Sequence, residues 1–403
     1  MKSKSAVITR SFLLLCVCLT IPFSLFAADF SGRLSSVVSY YQSFYNYDDS
    51  MPVYLYGMLN VKDITEEGLS FKSYARAADD VKNQQQKQSK LYYAYLEQKN
   101  IFGSVDFKLG RNYVFTPAGS PLVDGLELKY RPFRSFNVKL FGGGDVKLND
   151  EYDEDDQVAG LEIYGDLASF SYSVAYLNKW DEKALTKDLA GLELSYNHQN
   201  LIRLYTDLQY NLLSENFSYA LTGAGFYQPK WDITVEYLYS LPVFESTSIY
   251  SVFAVEEYEE LFTRLRYKLD NGIYTYASFT NEYYDEYPDA YVYEIGINKI
   301  RTDKFQGYLT GVYRDDSGDE NRVGIKSYMS YFFHRYAVTG IGLNYDVLEK
   351  SQDDADDTTY ERVWVDVTSY LNKSINLEFK VERVASNLYD DYFTGTARIN
   401  YSF

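Results

Sequence analysis

Phe393-Thr-Gly-Thr-Ala-Arg-Ile-Asn-Tyr-Ser-Phe403 closes the chain, and its alternation decides the fold. Phe393, Gly395, Ala397, Ile399, Tyr401 and Phe403 share one parity. Thr394, Thr396, Arg398, Asn400 and Ser402 share the other. A β-strand sends successive side chains to opposite faces, so one face is apolar and the other polar. Ten steps of roughly 3.3 Å, tilted by about 40°, rise about 25 Å, which is the height of the apolar band of a transmembrane barrel. Aromatic residues at both ends of the apolar face then fall at the two membrane interfaces, where amphipathic rings prefer to sit.

A chain-terminal Phe403, Tyr401 two residues before it and Ile399 upstream resemble the closing-strand signal of bacterial outer-membrane β-barrel proteins, porins among them. The resemblance implies that barrel assembly machinery reads Ile399, Tyr401 and Phe403. It also implies that this strand pairs with the first to close a barrel. The stretch would equally suit the last strand of a soluble β-protein, so the rest of the chain has to decide.

The N-terminus carries Lys2, Lys4 and Arg10, an apolar run from Phe12 to Phe26, and then Ala27-Ala28. Charged region, apolar core and small-residue cleavage site make residues 1–28 a secretory signal peptide. Neither Cys16 nor Cys18 follows a small residue, which argues against a lipoprotein signal. Both cysteines of the chain lie in this segment, so the mature protein is expected to have no disulfide or thiol chemistry. No later run approaches the ~18 apolar residues of a membrane helix. The formal charge of −18 becomes more negative once the three basic residues of the signal are removed, which argues against nucleic acid as a partner. Forty-four tyrosines against eight prolines suit long strands and aromatic girdles.

Residues 29–403 read as one domain of about 22 strands, each roughly 7 to 12 residues long, running from Phe30–Tyr41 to Tyr392–Phe403. Merging weak candidates around Gly103–Arg131 would lower the count, with about 16 as the floor. The connections alternate in character. Short ones include Gly165-Asp166-Leu167, Asp270-Asn271 and His334-Arg335. Long, acidic ones include 149–156, 282–289, 315–321 and 347–359. Short periplasmic turns and longer outer loops are the pattern of an antiparallel up-and-down transmembrane barrel, and periplasmic termini require an even strand number. A soluble sandwich, propeller or β-solenoid shows the same local alternation, but its strands are usually about 5 to 6 residues long. No block ahead of the first strand reads as a plug or periplasmic domain.

If apolar faces meet lipid, their polar partners line the interior. Leu261, Leu265 and Leu269 then face out, and Arg264, Arg266 and Lys268 face in. By the same alternation Lys108, Lys129, Arg322, Lys326, Arg362, Asp366 and Arg398 are candidate pore-lining residues. Neighbouring charges could instead pair across strands as a packed network. Two connections are unlike the others. Residues 112–124 contain Phe115, Pro117 and Pro121 and stay uncharged until Asp124. Residues 241–256 contain Phe244, Tyr250 and Phe253. An apolar loop left in water forfeits about 25 cal/mol per Å², so both are candidate constriction loops folded into the lumen. The alternative is packing on each other, or an extra hairpin from the second.

Catalysis has little support. His198 and His334 both fall in expected short turns, and no zincin, nucleophile-elbow, cysteine-cluster or phosphate-loop motif is present. No cofactor is expected, although acidic outer loops such as Asp353–Asp357 could take divalent cations that bridge to lipopolysaccharide. The sequence thus reads as an outer-membrane porin-like channel for passive diffusion of ions or small hydrophilic solutes. Its expected partners are outer-membrane lipid, lipopolysaccharide and the assembly machinery, with a homo-oligomer or periplasmic partner left open. Two other classes remain: a barrel sheathing a partner such as a multihaem cytochrome, and a non-conducting structural or adhesion barrel.

Overall fold

The computed structural model describes residues 28–42, 49–82, 88–148, 153–241, 257–285, 288–316, 321–334, 336–349 and 357–403. The expected signal peptide except Ala28, the acidic run at 149–152 and the second apolar connection, with Phe244, Tyr250 and Phe253, lie outside them, as does Asp353–Asp356.

Twenty-two strands follow one another. The first eleven are β1 (Asp29–Tyr41), β2 (Pro52–Lys62), β3 (Ser70–Asp80), β4 (Lys90–Ile101), β5 (Val105–Tyr113), β6 (Leu122–Phe133), β7 (Phe136–Asp145), β8 (Gln157–Leu167), β9 (Phe170–Asp181), β10 (Ala184–His198) and β11 (Ile202–Asn211). The second half comprises β12 (Asn216–Tyr227), β13 (Trp231–Ser240), β14 (Tyr258–Lys268), β15 (Ile273–Tyr284), β16 (Ala290–Lys299), β17 (Phe305–Asp316), β18 (Arg322–His334), β19 (Ala337–Leu348), β20 (Thr358–Tyr370), β21 (Ile375–Ser386) and β22 (Tyr389–Ser402).

Every strand pairs antiparallel with its sequence neighbours, and β1 pairs with β22, so a single sheet closes on itself. Closure removes the open edges that would otherwise attract other chains. The seam is specific. Arg33 opposes Ser402 and Tyr41 opposes Thr394. Ser35 Oγ donates to Asn400 Oδ1 at 2.6 Å. Gly32 N donates to the Phe403 carbonyl at 3.0 Å, and Phe403 N donates to the Gly32 carbonyl at 3.1 Å. The Phe403 ring occupies the space a Cβ on Gly32 would need, so the terminal aromatic covers a glycine on the first strand.

The two faces differ in crowding. On the convex side of a barrel side chains splay apart, and on the concave side they converge. Leu265, Val381 and Phe379 are about half exposed, whereas Glu127 and Asp232 are almost fully buried. The apolar set is therefore outside and the charged set inside. One end carries the start of β1, the end of β22 and a series of tight turns, for example those with Ala168 and Asn271-Gly272 in left-handed backbone conformations. The other end carries most of the longer connections.

Two outer connections are shorter than the sequence suggested. The alternation that stops at Leu177 and resumes at Leu189 predicts a loop between them; in the structure this stretch is the outer half of a hairpin that turns on Glu182 and Lys183, at φ 48° and 71°. A two-residue hairpin of this kind, with positive φ at both central residues, is usually marked by Asn or Gly. Glu-Lys gives no such signal. Likewise β22 starts at Tyr389, three residues earlier than expected.

Candidate functional site

The inner wall is the candidate site. Much of it is tied into ion pairs between adjacent strands. Lys108 and Lys129 both reach Glu127, at 3.1 and 2.7 Å. Arg131 pairs with Asp106 at 2.7 Å, Arg266 with Asp232 at 2.8 Å, and Arg362 with Glu382 at 2.7 Å. Arg398 lies 3.6 Å from Glu378, and Asp366 accepts a hydrogen bond from Tyr328 at 3.2 Å. Cross-strand register sets three of these pairs directly opposite each other, Lys108 with Glu127, Asp232 with Arg266 and Glu378 with Arg398; Arg131 and Arg362 reach Asp106 and Glu382 diagonally, and Lys129 reaches Glu127 along its own strand.

Four of the pore-lining cations expected from the sequence behave differently. Among the described residues Arg264, Lys268, Arg322 and Lys326 have no carboxylate within ion-pair distance. Arg264 and Arg266 both lie on β14, their guanidinium groups over Phe262 and Tyr274 at 5.8 and 5.4 Å. Arg264 lines a niche of about 260 Å³ with Tyr276, Ser278, Glu294 and Asn298. Its Nε has no hydrogen-bond partner. Arg322 opposes Arg314 directly across β17–β18, and Arg314 reaches Glu282 at 3.3 Å.

The first apolar connection, 114–121, turns back against the inner face of β7–β10. Val114, Ala118 and Val123 pack with Phe141, Val158, Ala175, Leu177 and Leu189 in a fully buried cluster. These last five share the inward parity of Lys139 and Glu162, so the loop covers an apolar patch on the concave side. Thr116 and Gly119 exchange backbone hydrogen bonds at 3.0 Å and hold the bend. The Pro117 backbone lies where a Cβ on Gly191 would have to go, so a glycine admits the loop. Phe115 is two-thirds exposed, its ring against Tyr113, and its carbonyl accepts from Lys139 Nζ at 2.8 Å. Pro117 and Pro121 line a cavity of about 520 Å³ with Lys179, Lys187, Asp207 and Gln209.

Sequence reasoning missed the anchor beneath that loop. Lys139 and Glu162 form a buried ion pair, and Ser173 Oγ donates to Glu162 at 2.6 Å. Lys179 is held bidentate by Asp145, at 2.8 Å to each oxygen. The signal was present: Lys139 sits between Val138 and Leu140, and Glu162 between Leu161 and Ile163, the same alternation as Lys108 and Glu127. A second missed feature is a band of inward tyrosines on β2–β4.

No protein-family model and no curated relative matches the sequence. Solved structures do. The P pilus usher (PapC) translocation pore aligns with a TM-score of 0.53 at 10% identity, covering 93% of this chain and 99% of that chain. The chain has the fold of a bacterial outer-membrane β-barrel. Pseudomonas aeruginosa OpdQ aligns at TM-score 0.48 and 8% identity, over 94% of this chain and 99% of that one. Acinetobacter baumannii OccAB4 aligns at 0.45 and 10%, over 95% and 100%. At such identities the likeness is one of fold.

Proposed function

We propose that the barrel is an outer-membrane channel through which ions or small hydrophilic solutes diffuse passively. One observation carries this reading: the closed sheet surrounds a charged interior that no segment fills among the described residues. Twenty-two strands spaced by ~4.8 Å and tilted by about 40° enclose a ring roughly 40 Å across between facing backbones. The 114–121 loop covers one sector of that ring. Water and ions occupy such a space, and the unpaired Arg264, Lys268, Arg322 and Lys326 meet solute there. Cations of this kind attract anions over about 10 Å at 0.1 M salt, so the pore favours small anions at low ionic strength. Its role is transport rather than catalysis. Reconstituted into liposomes, the protein should cause swelling in small neutral solutes at rates that fall with solute size. Vesicles that stay osmotically tight would exclude the channel reading.

The outer-membrane address has its own test. A thiol reagent added to intact cells should label a cysteine at Asp153, in the long connection between β7 and β8, and spare one at Asn200, in the β10–β11 turn. The opposite pattern would invert the topology.

The width favours a second reading, in which the lumen holds a partner protein. Barrels of 22 strands are commonly plugged, and the usher that aligns with this chain is described as a translocation pore. A multihaem cytochrome is one such partner. Co-purification of a c-type cytochrome in fixed stoichiometry with the barrel, with swelling abolished, would replace the open-channel reading by this one.

A further inference from the structure

The inner wall of β2–β4 carries six tyrosines in an unbroken chain of ring contacts. Tyr54 touches Tyr56 at 6.1 Å between centroids, and Tyr56 stacks on Tyr74 at 6.2 Å. Tyr74 meets Tyr92 at 4.9 Å and Tyr93 at 5.8 Å, and Tyr93 meets Tyr95 at 5.7 Å. A β-bulge makes the junction. Tyr74 pairs with Tyr93 and Ala75 with Leu91, so Tyr92 is the extra residue. Bulges re-aim side chains, and this one brings two consecutive tyrosines against Tyr74. The chain runs from Tyr54, near the start of β2 at the end with the longer connections, to Tyr95, midway along β4.

Cations border the tyrosines on both sides. The Arg76 guanidinium lies over the Tyr54 ring at 5.2 Å. Lys72 and Lys108 lie over Tyr95 at 5.9 and 5.6 Å. Arg33, on β1, opposes Met58 across the β1–β2 pair, two positions from Tyr56 on the same face. Among the described residues neither Arg33 nor Arg76 has a carboxylate partner. Glu97 is shared by Lys72 and Lys99, and Glu127 by Lys108 and Lys129, so even the paired part of this wall keeps an excess of positive charge.

We infer that this band is a binding track for an oligosaccharide bearing carboxylates. The inference rests on the channel reading and names a solute class for it. Each element has a chemical counterpart. Tyrosine rings present flat apolar surface and a phenolic hydroxyl, which suits the C–H face and the hydroxyl rim of a pyranose. Guanidinium and ammonium groups set beside the rings take carboxylates, and an arginine fork does so with two parallel hydrogen bonds. Repetition along the wall matches a repeating ligand rather than a single small ion. A neutral sugar would leave Arg33 and Arg76 without counter-charge, and a simple organic acid would use none of the rings.

Calorimetric titration of the purified, detergent-solubilised barrel tests this without reference to conductance. The probes are an oligogalacturonate of six residues, maltohexaose and monomeric galacturonate. The hexamer should bind, more weakly as salt rises, and at least tenfold more tightly than either control. Arg33→Gln with Arg76→Gln, and separately Tyr56→Ala with Tyr74→Ala, should each weaken it at least tenfold. Tyr74→Phe keeps the ring contacts and should cost little, which separates loss of the track from loss of fold; heat-modifiable mobility checks the fold of each variant. Equal binding of maltohexaose, no binding of the hexamer, or binding unchanged in both double variants would each overturn the inference. A barrel that binds the hexamer yet leaves vesicles tight would retain the track and remove the channel.

Discussion

Lys139 and Arg264 look alike in the sequence. Each is a cation flanked by outward residues on a strand of the same barrel, and each points to the concave side. In the structure they do opposite work. Lys139 is buried, paired with Glu162, and tied to the carbonyl of Phe115 under a loop that seals an apolar patch. Arg264 has no carboxylate partner among the described residues and borders an open niche. The difference lies in what covers the side chain. Where the 114–121 loop folds in, the inner wall becomes a core; where none of the described residues covers it, the wall borders an open niche. An inward cation in such a barrel is a structural or a solute-facing residue according to a neighbour far away in sequence.

Replacing Lys139 by Met should break the covered side first. It strands the buried Glu162 carboxylate and frees the loop, at a cost of about 3–5 kcal/mol. The check is chemical unfolding followed by heat-modifiable mobility, and unchanged stability would mean that Glu162 is hydrated. Leu177→Ala removes a fully buried side chain from the same cluster, with an expected loss of about 2–5 kcal/mol.

The contrast can be sharpened within one strand. Arg264→Glu should leave barrel yield intact and shift the reversal potential toward cation preference at low salt, an effect that fades as salt rises. Arg266→Glu, two residues along, faces the buried Asp232 and should instead depress yield. Equal yields for the two variants would erase the distinction between paired and free cations.

The smallest expected effect lies in the tight turn between β16 and β17. The backbone N–H of Phe305, with further help from Lys299, holds the exposed Asp303 carboxyl below its usual range. Phe305 N donates to it at 2.8 Å. A carboxyl with a depressed folded-state pKa stabilises the protein above its unfolded value, near ~3.9 for aspartate, and that contribution is lost as pH falls through the folded value. Asp303→Asn should therefore differ slightly from the parent at neutral pH and converge with it in acid. A difference that grew in acid would contradict this sign.

Much of the fold was legible because a membrane barrel writes period two along every strand. Parity assigns Leu265, Tyr267 and Arg266 to faces, and Phe403 with Tyr401 marks the strand that pairs with β1. Hairpins whose turns lack Asn or Gly, such as Glu182-Lys183, escaped because their positive φ has no compositional signature. The inner site was legible only by direction. Parity placed Arg264 and Lys139 inside, but pairing depends on which residue register sets opposite, and register is a property of the closed sheet. The tyrosine chain escaped for the same reason: its contacts cross strands and turn on a bulge at Tyr92.

Planar-bilayer recording of the purified barrel bears most directly on whether it is a channel. Stable, stepwise ionic conductance, with a reversal potential that Arg264→Glu moves toward cation preference, is the expected result. A folded, inserted barrel that carries no current, or one whose current ignores Arg264, would contradict the account.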